Sequence, residues 1–340
     1  MKLDIYLHGQ DLRDMPAIAR SVEDFGFDGL WVPESASNGF LPMVLAAEHT
    51  RHLEMGTNVA IAFARSPTVL AHIGWDLARY SHGRFIMGLG SQVRAHNERR
   101  LGVKWERPLR KMRETIEAMR AVWDCWKTGN RLNYQGEFFK LDLMTPFFAG
   151  LPSEVPPPPV YISAVNEGML RVAGQVCDGV QLHPVHSVKY LRDYAWPHLR
   201  AGMAAGGRTR EAFTAAASVF VIPTDGVQST AHHEQYVRRQ LAFYMSTPAY
   251  RVVLDQHGWA GVGEQLSQLM RRGDTDAMAK LVSDEMLAEF AVTGKWSELA
   301  GRVKARYAAE GLVDRVNYYT HTLPEQDQAG WRAALAAFRD

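Results

Sequence analysis

Short apolar runs alternate with longer segments in which apolar residues return every three or four positions. Leu3 to Leu7 is the first run, and Met15, Ile18, Ala19, Val22 and Phe25 then mark one face of a helix that Gly26 closes. Phe27 to Val32, Met55 to Ala62 and Ser81 to Ser91 read as the second, third and fourth strands, separated by helices around Met43 to His49 and over Thr68 to Tyr80. In the fourth, Phe85, Ile86, Met87 and Leu89 show no alternation, as expected of a parallel strand covered on both faces. Leu109, Met112, Ile116, Met119, Trp123 and Trp126 form the most regular helical stripe, with Pro108 at its start and Gly129 past its end. Val160 to Ser163, Gly179 to His183, Ala215 to Ile222 and Val313 to Tyr319 bring the strands to eight, and helices are expected over Glu167 to Val176 and Trp296 to Ala309.

Strand and helix repeated with short connections imply a parallel sheet with right-handed crossovers, and eight such units imply an α/β fold, the (β/α)8 TIM barrel. The expectation is a single domain over 1–340 with insertions at about 129–158 and 224–293. Asn133 to Leu141, with Gly136 between Tyr134 and the pair Phe138, Phe139, reads as a small hairpin in the first insertion. Pro156 to Pro159 stiffens the approach to the fifth strand. The second insertion shows no strand pattern and is too long for one crossover helix, so it is expected to lie on the C-terminal face as a lid or substrate wall.

Charge removes several function classes. The 38 basic and 37 acidic residues are mixed along the chain and leave a net charge of +1, which suits neither nucleic acid nor a membrane surface. No apolar run reaches the length of a membrane span, and Met1 leads into the first strand without a secretory pattern, so a cytoplasmic protein is expected. Cys125 and Cys177 are expected to be reduced, packed thiols. A metal-dependent hydrolase needs converging histidines and carboxylates, whereas His232-His233 lies in the insertion and the first strand has no His-x-His, so no metal is expected.

Candidate chemistry gathers at strand ends, where a parallel barrel keeps its site. Gly88 and Gly90 let backbone come close to a ligand at the exit of the fourth strand. His8, His183 and His321 follow the first, sixth and eighth strands, and the short loops at His8 and His183 aim these two inward as acid or base candidates. His96 is placed at the entrance.

Taken together, Gly26-Phe27-Asp28-Gly29-Leu30-Trp31-Val32-Pro33-Glu34, Gly56-Thr57-Asn58-Val59, Arg65-Ser66-Pro67, Ser81-His82-Gly83-Arg84-Phe85, Gly88-Leu89-Gly90, Pro159 to Ala164 and Cys177-Asp178-Gly179-Val180 give a sequence that resembles the bacterial-luciferase-like oxidoreductases. Ala62 to Pro67, Leu143 to Phe148 and Ser246 to Arg251 resemble a subgroup dependent on the deazaflavin coenzyme F420. The resemblance implies hydride transfer to or from carbon 5 of the deazaflavin, and the apolar, aromatic second insertion suits a hydrophobic or ring-containing small molecule as the partner. It leaves as alternatives an FMN-dependent monooxygenase and a non-catalytic flavin-binding barrel. A homodimer joined through the helices after strands two and three is also implied.

Several positions take a role from that resemblance. Asn58 to Val59 matches a non-proline cis peptide that backs the central ring. Glu34, as a catalytic carboxylate, and Ser35 match positions beside the ring, although some sugar-phosphate-oxidising relatives carry histidine in place of Ser35. Ser91, Gln92 and Arg94 match polar cofactor contacts, while Val93 replaces a glutamate that is catalytic in one branch. Ala164, Val165, Asn166 and Gly168 open the fifth helix, where free N–H groups suit a phosphate, and Arg65 and Arg94 are the cations expected for the anionic tail. The aromatic residues Phe243, Tyr244, Tyr250 and Trp259 of the second insertion line the substrate or pack the insertion on itself.

Overall fold

The computed structural model describes residues 1–308 and 310–339. Its centre is a closed barrel of eight parallel strands: β1 (Lys2–Tyr6), β2 (Gly29–Val32), β3 (Glu54–Thr57, resuming at Ala60–Ile61), β4 (Phe85–Gly90), β5 (Val160–Ala164), β6 (Gly179–Leu182), β7 (Thr214–Pro223) and β8 (Arg315–Tyr319). Each strand pairs with the next, and β8 returns to β1 through Lys2↔Arg315 and Asp4↔Asn317, so the barrel has no open edge. Around it lie α1 (Met15–Phe25), α2 (Leu41–His49), α3 (Pro67–Tyr80), α4 (Pro108–Thr128), α5 (Glu167–Val176) and α6 (Trp196–Ala205). After β7 come α7 (Thr230–Met245), α8 (Trp296–Tyr307) and α9 (Gln328–Arg339). Among the described residues, no helix is long and apolar enough to cross a membrane.

The main core lies between barrel and helices; a smaller one lies inside the barrel, where Trp31, Ile86 and Tyr161 pack together. The interior also holds an ion pair. Arg315, 3% exposed, donates through Nε and Nη2 to the two carboxylate oxygens of Asp4 at 2.7 and 2.8 Å, and through Nη1 to Glu54 at 2.9 Å. Trp31 Nε1 donates to the same Asp4, and the guanidinium lies 4.9 Å from the Trp31 ring centroid. Gly29 makes room for this cluster, since a Cβ there would sit 2.6 Å from Arg315 Nη2.

The structure adds to or departs from the sequence reading in several places. The third strand is not continuous over Met55 to Ala62: it breaks at the cis peptide Asn58–Val59 and resumes for two residues. The second insertion contains a strand after all, Ala291–Gly294, which extends the sheet beside the last residues of β7 and is too short to show a period of its own. The stretch leading into α6 passes through a π-helical turn, Leu191–Ala195, which displaces the 3.6-residue stripe and hides the helix. The C-terminal α9, whose Trp331, Ala334, Leu335 and Phe338 do follow helical spacing, packs along α8. The helix expected to end at Ala309 ends at Tyr307, and Ala309 lies outside the described residues.

The two insertions have different anchors. The hairpin of Tyr134–Gln135 and Lys140–Leu141 is fixed to α4, where buried Glu114 accepts from Phe138 N at 2.7 Å and Glu117 accepts from Tyr134 Oη at 3.0 Å. The second insertion is mostly helical, and α7 packs against β7. Both cysteines are free thiols.

Removing Asp4 would strand the Arg315 charge with only the partly exposed Glu54 as partner. Asp4→Ala is therefore expected to cost about 3–5 kcal/mol of unfolding free energy, read from the urea midpoint at unchanged slope. A loss below about 1 kcal/mol would mean that Glu54 suffices to hold the guanidinium.

Candidate active site

A cavity of about 600 Å³ opens at the C-terminal ends of the strands, the face on which such barrels keep their chemistry. One wall is backbone. Thr57, the last residue before the cis bond, donates from Oγ1 to Gly88 O at 2.6 Å and accepts from Gly88 N at 3.1 Å, tying β3 to β4. Only glycine fits at 88, because a Cβ would lie 1.8 Å from Thr57 O. At Gly90 a Cβ would meet Val59 Cγ2 at 2.5 Å, so this glycine lets the Val59 side chain lie flat against β4. Asn58, Val59 and Gly90 all line the cavity, as do Ser91, Gln92 and Arg94 beyond the strand.

Opposite stands the start of α5. Ala164, Val165, Asn166 and Gly168 line the cavity. Leu170 makes the first intrahelical bond, to Asn166 O, so the N–H groups of Gly168 and Met169 have no acceptor within their own helix. Asn166 makes no capping bond; its amide donates to Ala249 O at 2.9 Å and ties the second insertion to the barrel rim.

The structure separates the acid, base and cation candidates. Glu34, expected beside the ring, has both carboxylate oxygens engaged by the Arg65 guanidinium, and one of them also accepts from Ile61 N at 2.7 Å. This pair, with both side chains only 14% exposed, braces the segment after the cis bond. It leaves neither Glu34 nor Arg65 among the cavity-lining residues, because each satisfies the other's charge. Ser35 and His96 are exposed and also lie off the cavity wall. His8 is exposed, with its ring edge-on to Tyr6 at 4.5 Å, and it too stays off the wall. Arg94 lines the mouth but is largely solvent-exposed and paired with Glu98 at 3.1 Å.

His183 does line the cavity. It stacks on Tyr250 at 4.2 Å and meets Tyr244 edge-on at 4.5 Å. Val185 N donates to its Nδ1 at 3.2 Å, leaving the proton of the neutral ring on Nε2. Burial, with His186 adding a smaller effect, pushes its pKa down to about 3. At neutral pH it is an uncharged donor, not a proton reservoir. His321 lies off the cavity, with both ring nitrogens buried and unpartnered, 4.6 Å from His232 and 5.1 Å from His233 between ring centroids. Among the described residues no set of three or more such side chains is arranged to hold a metal ion.

Sequence reasoning missed the inner part of the cavity. Tyr6 ends β1 and Tyr319 ends β8; the Tyr319 hydroxyl lies 2.7 Å from that of Tyr244 on α7. Burial raises the pKa of all three phenols, so each remains a hydroxyl. Ser163, Gln181 and Ser218 form a polar floor. The available signal was a polar residue interrupting an apolar strand, as in Val160-Tyr-Ile-Ser-Ala164 or Gly179-Val-Gln-Leu182. Of the aromatic residues in the second insertion, Tyr244 and Tyr250 face the cavity, whereas Phe243 is exposed and Trp259 stacks on His257 at 4.5 Å.

The assembled cavity has no carboxylate or lysine among its described lining residues, and Arg94 is its one formal charge. It can hold a flat neutral ring against backbone, offer N–H groups to an anion at α5, and donate hydrogen bonds from phenols. It offers no ionised base.

Known proteins of similar sequence and fold are consistent with this geometry. A family model described as luciferase-like monooxygenase matches residues 3–314. The chain is 45% identical over 316 residues to an uncharacterized protein of Mycobacterium tuberculosis, covering 93% of this chain and 92% of that one. It is 28% identical to the 5,10-methylenetetrahydromethanopterin reductase of Archaeoglobus fulgidus, covering 83% of this chain and 82% of the other. The structure of the coenzyme F420-dependent tetrahydromethanopterin reductase from Methanopyrus kandleri superposes with a TM-score of 0.77 at 21% identity, over 99% of this chain and 97% of that one, which is a likeness of fold.

The buried neutral histidines give a pH signature. His183, His186 and His233 have folded pKa values of about 3, 4 and 4, below the unfolded value near 6.5, so the unfolded chain binds more protons between those limits. Their stabilising effect is complete above about pH 6.5 and is lost as pH falls toward 4. Urea titrations from pH 7 to 4 are expected to show this decline, and His183→Gln to make it shallower; an identical slope in the variant would place the sensitivity elsewhere.

Proposed function

The chain belongs to the luciferase-like monooxygenase family, and from that premise we propose that it is an oxidoreductase that moves a hydride between coenzyme F420 and a hydrophobic or ring-containing small molecule. The observation that carries this reading is the cavity itself: one flat backbone wall, unpaired helix-start N–H groups opposite, and no carboxylate among its described lining residues. Such a site suits a neutral planar ring with an anionic tail and suits neither hydrolysis by a carboxylate base nor a metal. The name of the Archaeoglobus relative, a reductase, supports hydride chemistry over oxygen insertion.

The residues fit that cofactor. Asn58, Val59 and Gly90 would back the ring; Gly168 and Met169 N–H, with Arg94 at the rim, would meet the phosphate of the tail. When bound, the deazaflavin supplies a carbon that accepts or gives a hydride but does not form the oxygen adduct of a flavin. The proton that accompanies the hydride has to pass through uncharged groups. Tyr244, hydrogen-bonded to Tyr319, and the Nε2–H of His183 are the chain's donors on the cavity wall. Tyr250, Trp105, Leu109 and Met169 add the apolar surface expected around a ring-containing substrate.

Fluorescence titration distinguishes the cofactors. F420 is expected to bind with quenching of the deazaflavin emission and FMN more weakly; tight FMN binding with no affinity for F420 would make this an FMN-dependent monooxygenase. Absence of hydride transfer from reduced F420 to every acceptor tried would point instead to a non-catalytic flavin-binding barrel.

The same reading includes a homodimer. Leu41 and Val44 on α2, at 51% and 42% exposure, and Tyr80 on α3, at 48%, border an outer apolar groove of about 700 Å³. Light scattering is expected to give twice the chain mass, and Leu41→Glu with Val44→Glu to halve it; an unchanged dimer would place the interface elsewhere.

A further inference from the structure

We infer that Gln181 forms a two-point hydrogen bond with the imide edge of the cofactor's pyrimidine ring, its amide nitrogen donating to a ring carbonyl and its amide oxygen accepting from the ring N3–H. This rests on the flavin or deazaflavin reading above and adds the residue that recognises the ring. Gln181 lies on β6 and is 4% exposed, and its Nε2 has no hydrogen-bond partner among the described residues. Several other buried side-chain atoms also lack a partner, but among these Gln181 alone belongs to the cavity wall. A buried amide N–H with no acceptor is unfavourable, so a side-chain rotation that gives this enclosed group an acceptor on a ring in the adjoining cavity would relieve it.

Position identifies the edge it meets. The amide reaches across the barrel toward β4: Nε2 lies 3.3 Å from where a Cβ of Gly88 would be, two residues below Gly90. It therefore sits directly beneath the wall of Val59 and Gly90. A flat ring leaning on that wall presents its inner edge to Gln181, while an anionic tail extends outward to the N–H groups at α5. Ser163 pairs with Gln181 in the sheet register, and Ser218 completes a floor with no charged side chain. The neutral amide offers a donor and an acceptor side by side, the complement of the O=C–N–H sequence that flavins and deazaflavins share. A carboxylate here would repel the ring carbonyl, and a hydroxyl would satisfy only one of the two groups.

The experiment measures affinity and stability together on the full chain. Gln181→Leu exchanges an unpartnered amide for carbon of similar volume, so it is expected to melt no lower than the unsubstituted protein and to bind F420 or FMN at least tenfold more weakly. Gln181→Glu is expected to bind poorly at pH 8 and to recover as pH falls and the carboxyl becomes a donor again, a dependence the unsubstituted protein lacks. N3-methyl-FMN supplies the pairwise check: methylation should weaken binding to the unsubstituted protein at least tenfold and to Gln181→Leu less than threefold. If Gln181→Leu binds within threefold of the unsubstituted protein, or methylation costs both proteins equally, the inference fails while the cofactor reading stands. If the unsubstituted protein binds neither F420 nor FMN, both fail.

Discussion

The fork between Arg315 and Asp4 is the contact on which the rest of the molecule depends. It joins the last strand of the barrel to the first, across 311 residues of sequence, with both side chains buried. Two ions removed from water cost several kcal/mol each, and their attraction offsets this only when geometry and further hydrogen bonds are good. Here the carboxylate accepts from both Arg315 and Trp31, the guanidinium lies against the Trp31 ring, and Glu54 takes a third bond. The ordinary pKa of the guanidinium is raised further by these carboxylates despite its burial. Loss of either partner would leave an uncompensated buried charge, which makes the register of the first and last strands costly to break.

The Arg315 cluster lies toward the lower end of the barrel, whereas the cavity at the upper end has Arg94 as the one formal charge among its described lining residues. The cavity has an uncharged floor of Gln181, Ser163 and Ser218, phenols on one side and backbone on the other. The Glu34–Arg65 ion pair, off the cavity wall, serves the architecture: it holds the chain that follows the cis peptide and so keeps the Asn58–Val59 wall in place. Two strand ends close together thus have opposite characters, one side braced by charge and the other kept neutral.

The barrel was legible because its strands are covered on both faces and its helices are amphipathic, so period and length alone separate them. Elements hidden from that reading fail it for identifiable reasons. The π-helical turn before α6 shifts the stripe, and Ala291–Gly294 has too few residues to show alternation. The site was legible where backbone chemistry makes it: Gly90, Asn58, Val59 and the start of α5 all line the cavity. Side-chain chemistry was harder to read, because a charged residue in sequence carries no record of its partner. Glu34 and Arg65, 31 residues apart, each suggest a ligand contact when read singly and bind each other in the structure. Tyr6, Tyr319 and Gln181 escaped for the converse reason, since a single polar residue in an apolar strand shows its meaning only when neighbouring strands bring several together.

The electrostatics of the mouth follow from where its charges are. Arg94 is largely solvated and shares its charge with Glu98, so at the high effective dielectric of the surface it contributes little to holding an anion. The unpaired N–H groups of α5 are fixed by the helix and cost no side-chain ordering when a ligand arrives, and the helix dipole adds to them within its first turn. Deeper in, the phenols stay protonated and His183 stays neutral, so no ionisation inside the cavity changes its charge near neutral pH. If a ring is held there as proposed, a charge developing on it would meet oriented dipoles instead of countercharges. That is the arrangement by which a water-poor site stabilises a changing charge without binding either charge state too tightly to release it.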